Sequence, residues 1–483
     1  MSDSQPIQET YPIYVAGAFK ETAASLDVIS PYSRQCVYRT FLAGEREFEE
    51  AVNAACSVRQ IMRDLPVYER YQILMTIAQG IRDNRDRFAL IMAKEAAKPL
   101  KTALGEVDRA IQTFTIAAEE TKRLPGEVLS IDWTASGSHK EAIVKYFPVG
   151  VVAGIAPFNF PLNLVAHKIA PAIAAGCPIV LKPASKTPIS ALYLAKIIDQ
   201  TCLPKGTLSV LPMDRNTGNK LVTDERFKLL SFTGSPTVGW DMKQKAGKKK
   251  IILELGGNAA LIVEKDADID NAVAKAVKGG YSFAGQSCIH TQRIYVEQSR
   301  FDDFIEKFQA GLERLRAGDP EDPDTDFSVM IDQDNALRIE AWVQEAEKNG
   351  AKVLSGGIRK DNLYAPTLLT HTRKQMKVCE LEAFAPVVLI EPFNDFKEAI
   401  AAVNDSAFGL QAGLFTYDSR KIHYAFQSLD VGGVTVNEVP TFRADHMPYG
   451  GIKESGLGRE GPKYAILEMM EPKVLVMDHA NTI

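Results

Sequence analysis

Val149-Gly-Val-Val-Ala-Gly-Ile-Ala156 is a short apolar run, and a helical stretch over residues 162–175 follows it directly after Pro161. Residues 179–182 read as a second strand and 188–200 as a second helix, with further strands at 208–211, 229–233 and 251–255. Strands that alternate with helices at this spacing predict a parallel sheet covered on both faces. Upstream, residues 47–62, 70–93 and 104–122 place apolar side chains at helical spacing. Downstream, a second strand–helix series starts near Ala260 and continues through 294–296, 386–390 and 434–437. Gly256-Gly257 separates the two series, so a domain boundary is expected there.

The chain has 483 residues, more than one core usually serves, which predicts at least two domains. Its hydrophobic content of 46% and charged content of 24% are ordinary for a globular protein. A net charge of −5 gives no reason to expect nucleic acid or an anionic membrane as partner. No apolar run reaches the roughly 20 residues of a membrane helix, and the start, MSDSQPIQET, lacks the pattern of a secretory signal. Cys36, Cys56, Cys177, Cys202, Cys288 and Cys379 are scattered, without a Cys-x-x-Cys pair. Neither a metal site nor a disulfide framework is expected, and a reducing cytoplasm fits best.

Two segments carry the chemistry: Phe283-Ala-Gly-Gln-Ser-Cys288-Ile-His290 and Leu253-Glu254-Leu-Gly-Gly-Asn258. A cysteine in a small-residue loop and a glutamate ending an apolar run suit covalent catalysis, with a thiolate attacking an electrophilic carbon and a carboxylate handling protons and water. His290 is two residues from Cys288. On an extended segment that separation is about 7 Å, which favours a lining role over direct proton abstraction.

The pairing resembles the aldehyde dehydrogenase superfamily, whose Gly-Gln-x-Cys loop carries the nucleophile and whose Glu-Leu-Gly-Gly carries the base. Further motifs extend the resemblance from about Pro157 to Gly461, most of the chain. Pro157-Phe-Asn159-Phe-Pro161 is similar to the family's Pro-Trp-Asn-Phe-Pro, with Phe158 in place of tryptophan; the resemblance implies an oxyanion hole made by the Asn159 amide and the Cys288 N–H. Lys168 and Glu460 match positions proposed to relay protons. The resemblance also implies an NAD or NADP site. Phe232-Thr-Gly234-Ser235-Pro-Thr-Val-Gly239 resembles the pyrophosphate motif, and Lys182-Pro-Ala-Ser185 the ribose motif. In the latter Ser185 replaces a glutamate that would repel a 2′-phosphate, so NADP becomes acceptable, with Lys182 and Arg215 to receive it. Glu382-Ala-Phe384-Ala-Pro386 resembles the nicotinamide-side motif, with Ala385 for glycine, and Leu255 completes the cofactor set.

The implied fold is α/β: a Rossmann-like cofactor domain (1–124 and 147–256), an α/β catalytic domain (257–463) and a small β oligomerisation extension (125–146 and 464–483). A homodimer or homotetramer is therefore expected. Gly456-Leu-Gly458-Arg-Glu-Gly461 formally matches the dinucleotide fingerprint, but loop-forming residues precede it and it lies far C-terminal, so it is read as a loop rather than a phosphate cradle. The stretch from Pro440 to Gly451 resembles members that act on small hydroxy- or oxo-aldehydes, and Arg109, His290, Arg443 and His446 are the candidate substrate contacts. Two competing readings are a coenzyme A-acylating dehydrogenase, against which Glu254 argues, and a non-catalytic binding protein on the same fold, against which the joint presence of Cys288, Glu254 and Asn159 argues.

Overall fold

The computed structural model describes residues 9–479; the outermost residues of the first and last expected segments lie outside them. Helix Glu45–Asp64 buries Phe48, Ala51, Val52, Ala55, Val58 and Met62 along one stripe, and the Gly44 N–H donates to the Glu47 carboxylate at 2.9 Å to close its first turn. The single helix expected over 70–93 is two, Val67–Asp83 and Arg85–Ala96. The break falls at Asn84, whose side-chain amide donates back to the Gly80 carbonyl at 2.8 Å and whose side-chain oxygen accepts from Tyr193. Periodicity alone does not register such a local competitor for the helical carbonyls. Helix Leu100–Thr121 completes this layer.

The first sheet has eight strands in the order Ala18–Lys20, Ile13–Val15, Leu208–Val210, Ile179–Lys182, Val151–Ile155, Phe227–Thr233, Lys250–Glu254 and Gly456–Leu457. The five from Leu208–Val210 to Lys250–Glu254 are parallel, and the strand order reverses at Val151–Ile155, next to Phe227–Thr233. Val151–Ile155 is buried throughout, as a central strand covered on both faces must be. Helix Asn163–Ala175 is buried at every residue. Two buried carboxylates reach it and its neighbour from the first helical layer: Glu106 accepts the Leu162 and Asn163 N–H groups at 2.9 and 3.0 Å, and Glu95 accepts those of Ile189 and Ser190 at 2.8 and 3.1 Å. Both helix starts thus find side-chain acceptors for N–H groups that have no partner within the helix.

Gly456–Leu457 is not loop, as the sequence suggested, but an edge strand antiparallel to Lys250–Glu254, with Leu457 opposite Leu253. Pairing with an exposed sheet edge satisfies its backbone. It lies in the segment expected to belong to the catalytic domain, yet it joins the first sheet.

The second sheet orders Lys352–Ser355, Thr367–Thr370, Val387–Phe393, Thr291–Glu297, Ala259–Val263, Gln411–Phe415 and Gly433–Val436, and every pair but the first is parallel. A third sheet joins Gly126–Ser130, Lys140–Pro148 and Met470–Asp478, antiparallel throughout. Its last strand leaves Val474, Leu475 and Val476 more than half exposed.

Candidate active site

Ligands of open parallel sheets sit beyond the carboxyl ends of the strands, where the strand order reverses. Here those ends deliver, in turn, the Asn159 loop after Val151–Ile155, Lys182, Gly234-Ser235 after Phe227–Thr233, and Glu254. The candidate nucleophile arrives from the other sheet. Phe283, Ala284 and Gly285 all have φ between 51° and 66°. A left-handed run of three residues is strained outside glycine and reverses the chain abruptly between helix Ile269–Tyr281 and Cys288. The Cys288 carbonyl lies against Gly257, where a Cβ would sit 2.1 Å from it. The two segments singled out in the sequence therefore interlock, and only glycine fits at the contact.

Cys288 is half-buried, and its sulfur lies 3.0 Å from the Tyr449 hydroxyl. Burial pushes its thiol up to about 11, with Tyr449 acting the other way. Glu254 is 3% exposed and neither carboxyl oxygen has a hydrogen-bond partner among the described residues. Burial, and then the Glu460 charge, hold its carboxyl well above the usual range. Asn159 is buried, and its side-chain amide donates to the Gln286 carbonyl at 3.1 Å, two residues before Cys288. The Cys288 N–H meets no acceptor among the described residues.

Lys168 is fully buried and donates to Ser231, Thr233 and Glu460 at 3.1, 2.8 and 3.4 Å. Burial depresses its ammonium, whereas Lys168 and Arg443 overcome burial at Glu460 and hold that carboxyl down at about 2. Arg443 donates to Glu460 at 3.1 Å and lies over the Tyr449 ring, 3.7 Å from its centroid, while its Nε is buried without a partner among the described residues. Arg109 is held bidentately by Asp445 at 2.9 and 3.1 Å, and Asp445 also accepts from Asn163 and pairs with His167. His290 Nε2 lies 2.9 Å from the Gly280 carbonyl, in a site whose burial lowers the imidazole to about 4; no hydrogen bond joins it to Cys288. His446 is exposed.

On the cofactor side, Ser235 caps helix Pro236–Lys245 by position, but its hydroxyl makes no capping bond and is exposed. Gly239 brings this helix so close to Leu255 that a Cβ would meet its side chain at 2.4 Å. An open helix start at the switch point, with a free hydroxyl, fits a pyrophosphate. Lys182 is partly buried at its strand end and depressed by that burial; Ser185 is exposed. Glu382 accepts the Gly257 N–H at 2.9 Å and burial raises it to about 7. Phe384 adopts a φ of 46° and meets Phe158 edge-on, ring centroids 5.9 Å apart. The residue before Ala385 thus takes the left-handed conformation, and Ala385 itself does not.

Two features went unread in the sequence. One is the Tyr449 contact with the sulfur. The other is Lys98, fully buried and ion-paired with Glu106; its ammonium also donates to the Asn159 carbonyl and lies 3.9 and 4.5 Å from the Phe160 and Phe283 ring centroids. One cation thus ties the Asn159 loop to the turn before Cys288. No local signal marks Lys98, since a lysine is normally solvated unless paired.

A model described as the aldehyde dehydrogenase family matches residues 19–475. The chain is similar to a 3-sulfolactaldehyde dehydrogenase of Priestia megaterium, 43% identical over 97% of this chain and 98% of that one. Among solved structures, aldehyde dehydrogenase 21 of Physcomitrella patens, in complex with the reaction product succinate, has a TM-score of 0.97 at 43% identity, covering 99% of this chain and 100% of that one. A glyceraldehyde-3-phosphate dehydrogenase of Methanocaldococcus jannaschii, complexed with NADP, has a TM-score of 0.90 at 40% identity over 95% of this chain and 99% of that one.

Proposed function

The chain belongs to the aldehyde dehydrogenase family, and from that premise we propose that it oxidises a small hydroxy- or oxo-aldehyde with an anionic tail, through a covalent intermediate on Cys288. Its reaction class is NAD(P)-dependent aldehyde oxidation. The observation that supports the mechanism is the interlock at Gly257, which sets the backbone of the Cys288 segment against the segment carrying Glu254, a buried carboxyl with no hydrogen-bond partner among the described residues.

Lys182, Ser185, Ser235 and the helix start at Gly234 to Gly239 would hold the phosphate and ribose end of the cofactor, with Leu255, Glu382 and Phe384 at the nicotinamide end. The bound oxidised nicotinamide supplies a hydride acceptor. Ser185, carrying no charge, suits a 2′-phosphate and hence NADP. In the chemical steps the Cys288 thiolate forms a bond to the carbonyl carbon. The resulting oxyanion takes hydrogen bonds from the Asn159 amide and the Cys288 N–H. Loss of hydride leaves a thioester on Cys288. Glu254 then removes a proton from water, the hydroxide adds to the thioester, and the carboxylic acid departs as the thiolate is regenerated. Lys168 and Glu460, whose charges act on Glu254 without a direct hydrogen bond to it, would take the proton onward through intervening water.

Arg443 is the best-placed anion contact, because its buried Nε keeps a donor free while Glu460 holds the other end. Arg109 spends two donors on Asp445, His290 is engaged with the Gly280 carbonyl, and His446 is exposed. One relative is named for a sulfonated aldehyde and one solved neighbour holds succinate, which supports the same reading, while others are named for the uncharged lactaldehyde. The exposed apolar strand 470–478 supports a homodimer or homotetramer, and six free thiols suit a cytoplasmic setting.

The test is oxidation of sulfolactaldehyde, succinic semialdehyde, lactaldehyde, glycolaldehyde and an alkyl aldehyde with NAD and NADP, with and without coenzyme A. Preferred turnover of the anionic aldehydes to free acids, abolished in Cys288→Ala, is expected. Turnover retained in that variant, or acyl-coenzyme A as product, overturns the mechanism; equal use of the alkyl aldehyde overturns the substrate class.

A further inference from the structure

We propose that Tyr449 is a catalytic residue whose phenolic O–H donates a hydrogen bond to the Cys288 sulfur and stabilises it as the thiolate. The inference rests on the reading of Cys288 as nucleophile. The hydroxyl lies 3.0 Å from Sγ, within ordinary reach for a hydrogen bond to sulfur, across 161 positions of sequence. Tyr449, Ile289 and Leu410 form a small apolar cluster against Cys288, so the contact is shielded from competing water. The ring cannot easily turn away. Its backbone is tied to Glu460 in both directions, at 3.0 and 2.6 Å, and the Arg443 guanidinium covers its face.

Direction follows from the charges that surround the pair. Arg443 is the cation facing both groups, and Glu254 and Glu382 are the carboxyls facing the sulfur. Burial pushes the Tyr449 phenol above its ordinary value, as it does the thiol. Sulfur gives up its proton more readily than a phenol from the same environment, since a free thiol starts from a pKa about 1.5 below tyrosine's. The phenol therefore stays protonated as donor, and the proton lost by the thiol leaves to water or to the Glu254 carboxylate. A hydrogen bond to an ionised partner is roughly twice as strong as a neutral one, so the contact strengthens when the thiolate forms. The Arg443–Glu460 ion pair, by fixing the ring, links the buried lysine–carboxylate chain to the nucleophile.

The experiment measures the pH dependence of Cys288 alkylation by iodoacetamide in the full-length enzyme, read on the Cys288 peptide by mass spectrometry. Tyr449→Phe removes one oxygen and keeps the ring under Arg443. Its alkylation midpoint should rise by about one to two pH units, and kcat/KM at neutral pH should fall about tenfold or more. Replacing Tyr449 with a ring-fluorinated tyrosine, a stronger donor, should move the midpoint down. An unchanged midpoint in the phenylalanine variant, or shifts of the same sign in both, overturns the proposal. Should Tyr449→Phe prove misfolded by its melting curve, the fluorinated protein decides alone. Failure of the underlying reading looks different: Cys288→Ala would then keep turnover, whatever the alkylation profile.

Discussion

The Gly257 α-carbon and the Cys288 carbonyl oxygen are packed so closely that any side chain at 257 would begin 2.1 Å from that oxygen. The contact joins the segment carrying the candidate base to the one carrying the candidate nucleophile, and it consists of backbone on the cysteine side, which cannot rotate out of the way. Gly257→Ala should therefore displace the Cys288 loop and lower kcat by about 100-fold, the scale of a one-ångström misplacement. Dinucleotide binding, followed by fluorescence titration, should be kept within about threefold, the size of a secondary effect. Near-normal turnover in this variant would show that the loop yields to the added methyl.

The orphaned carboxyl of Glu254 makes a prediction about stability as well as rate. Its folded-state pKa is raised, chiefly by burial, above the unfolded value of about 4.3. Between those two values the folded protein holds the proton more tightly than the unfolded chain. The contribution is complete below the unfolded pKa and is lost as pH rises through the folded one. Glu254→Gln should thus melt higher than the parent at pH 8 and show no gain at pH 4. The same variant should stall as a thioester, seen as added mass on Cys288 after one turnover. A lower melting temperature at pH 8 would mean that the charged carboxylate is stabilised by contacts the structure lacks.

Lys98 and Glu106 share a site in which neither side chain has exposed surface. Lys98→Met leaves a buried carboxylate without its cation, an imbalance worth about 3–5 kcal/mol. Adding Glu106→Gln removes the charge while its oxygen can still accept the Leu162 and Asn163 N–H groups. The double variant should therefore melt above the single Lys98→Met protein. If the second change lowers the melting point further, the Glu106 charge is compensated elsewhere. Both proteins should also lose oxyanion stabilisation, because Lys98 holds the Asn159 carbonyl.

Ser185 is exposed beside the strand end that carries Lys182. Ser185→Glu would set a carboxylate against a 2′-phosphate, and like-charge contact of that kind is costly. KM for NADP should rise about tenfold, corresponding to ~1.4 kcal/mol, with KM for NAD unchanged or lower. An unchanged NADP KM would place the 2′-phosphate away from this residue.

The sequence by itself determined what depends on neighbours along the chain. Period and length marked the alternating strands and helices around residues 149–255, because burial on both faces of a parallel sheet imposes unbroken apolar runs. Local residue type also brought out Cys288, in a small-residue loop, and Glu254, a carboxylate ending an apolar strand, whereas Asn159 came from the resemblance of Pro157 to Pro161 to a family motif. It misjudged the helix break at Asn84, where one side chain outcompetes the helical pattern, and the edge strand Gly456–Leu457, whose pairing depends on a distant partner. Only the tertiary structure decided which charges are buried together. Lys98 reads as an ordinary solvated lysine until the fold closes two loops over it, and Tyr449 reads as part of a glycine-rich tail until two separate sheets bring it to the Cys288 sulfur. Such contacts are set by chain topology and desolvation, which no local spacing encodes.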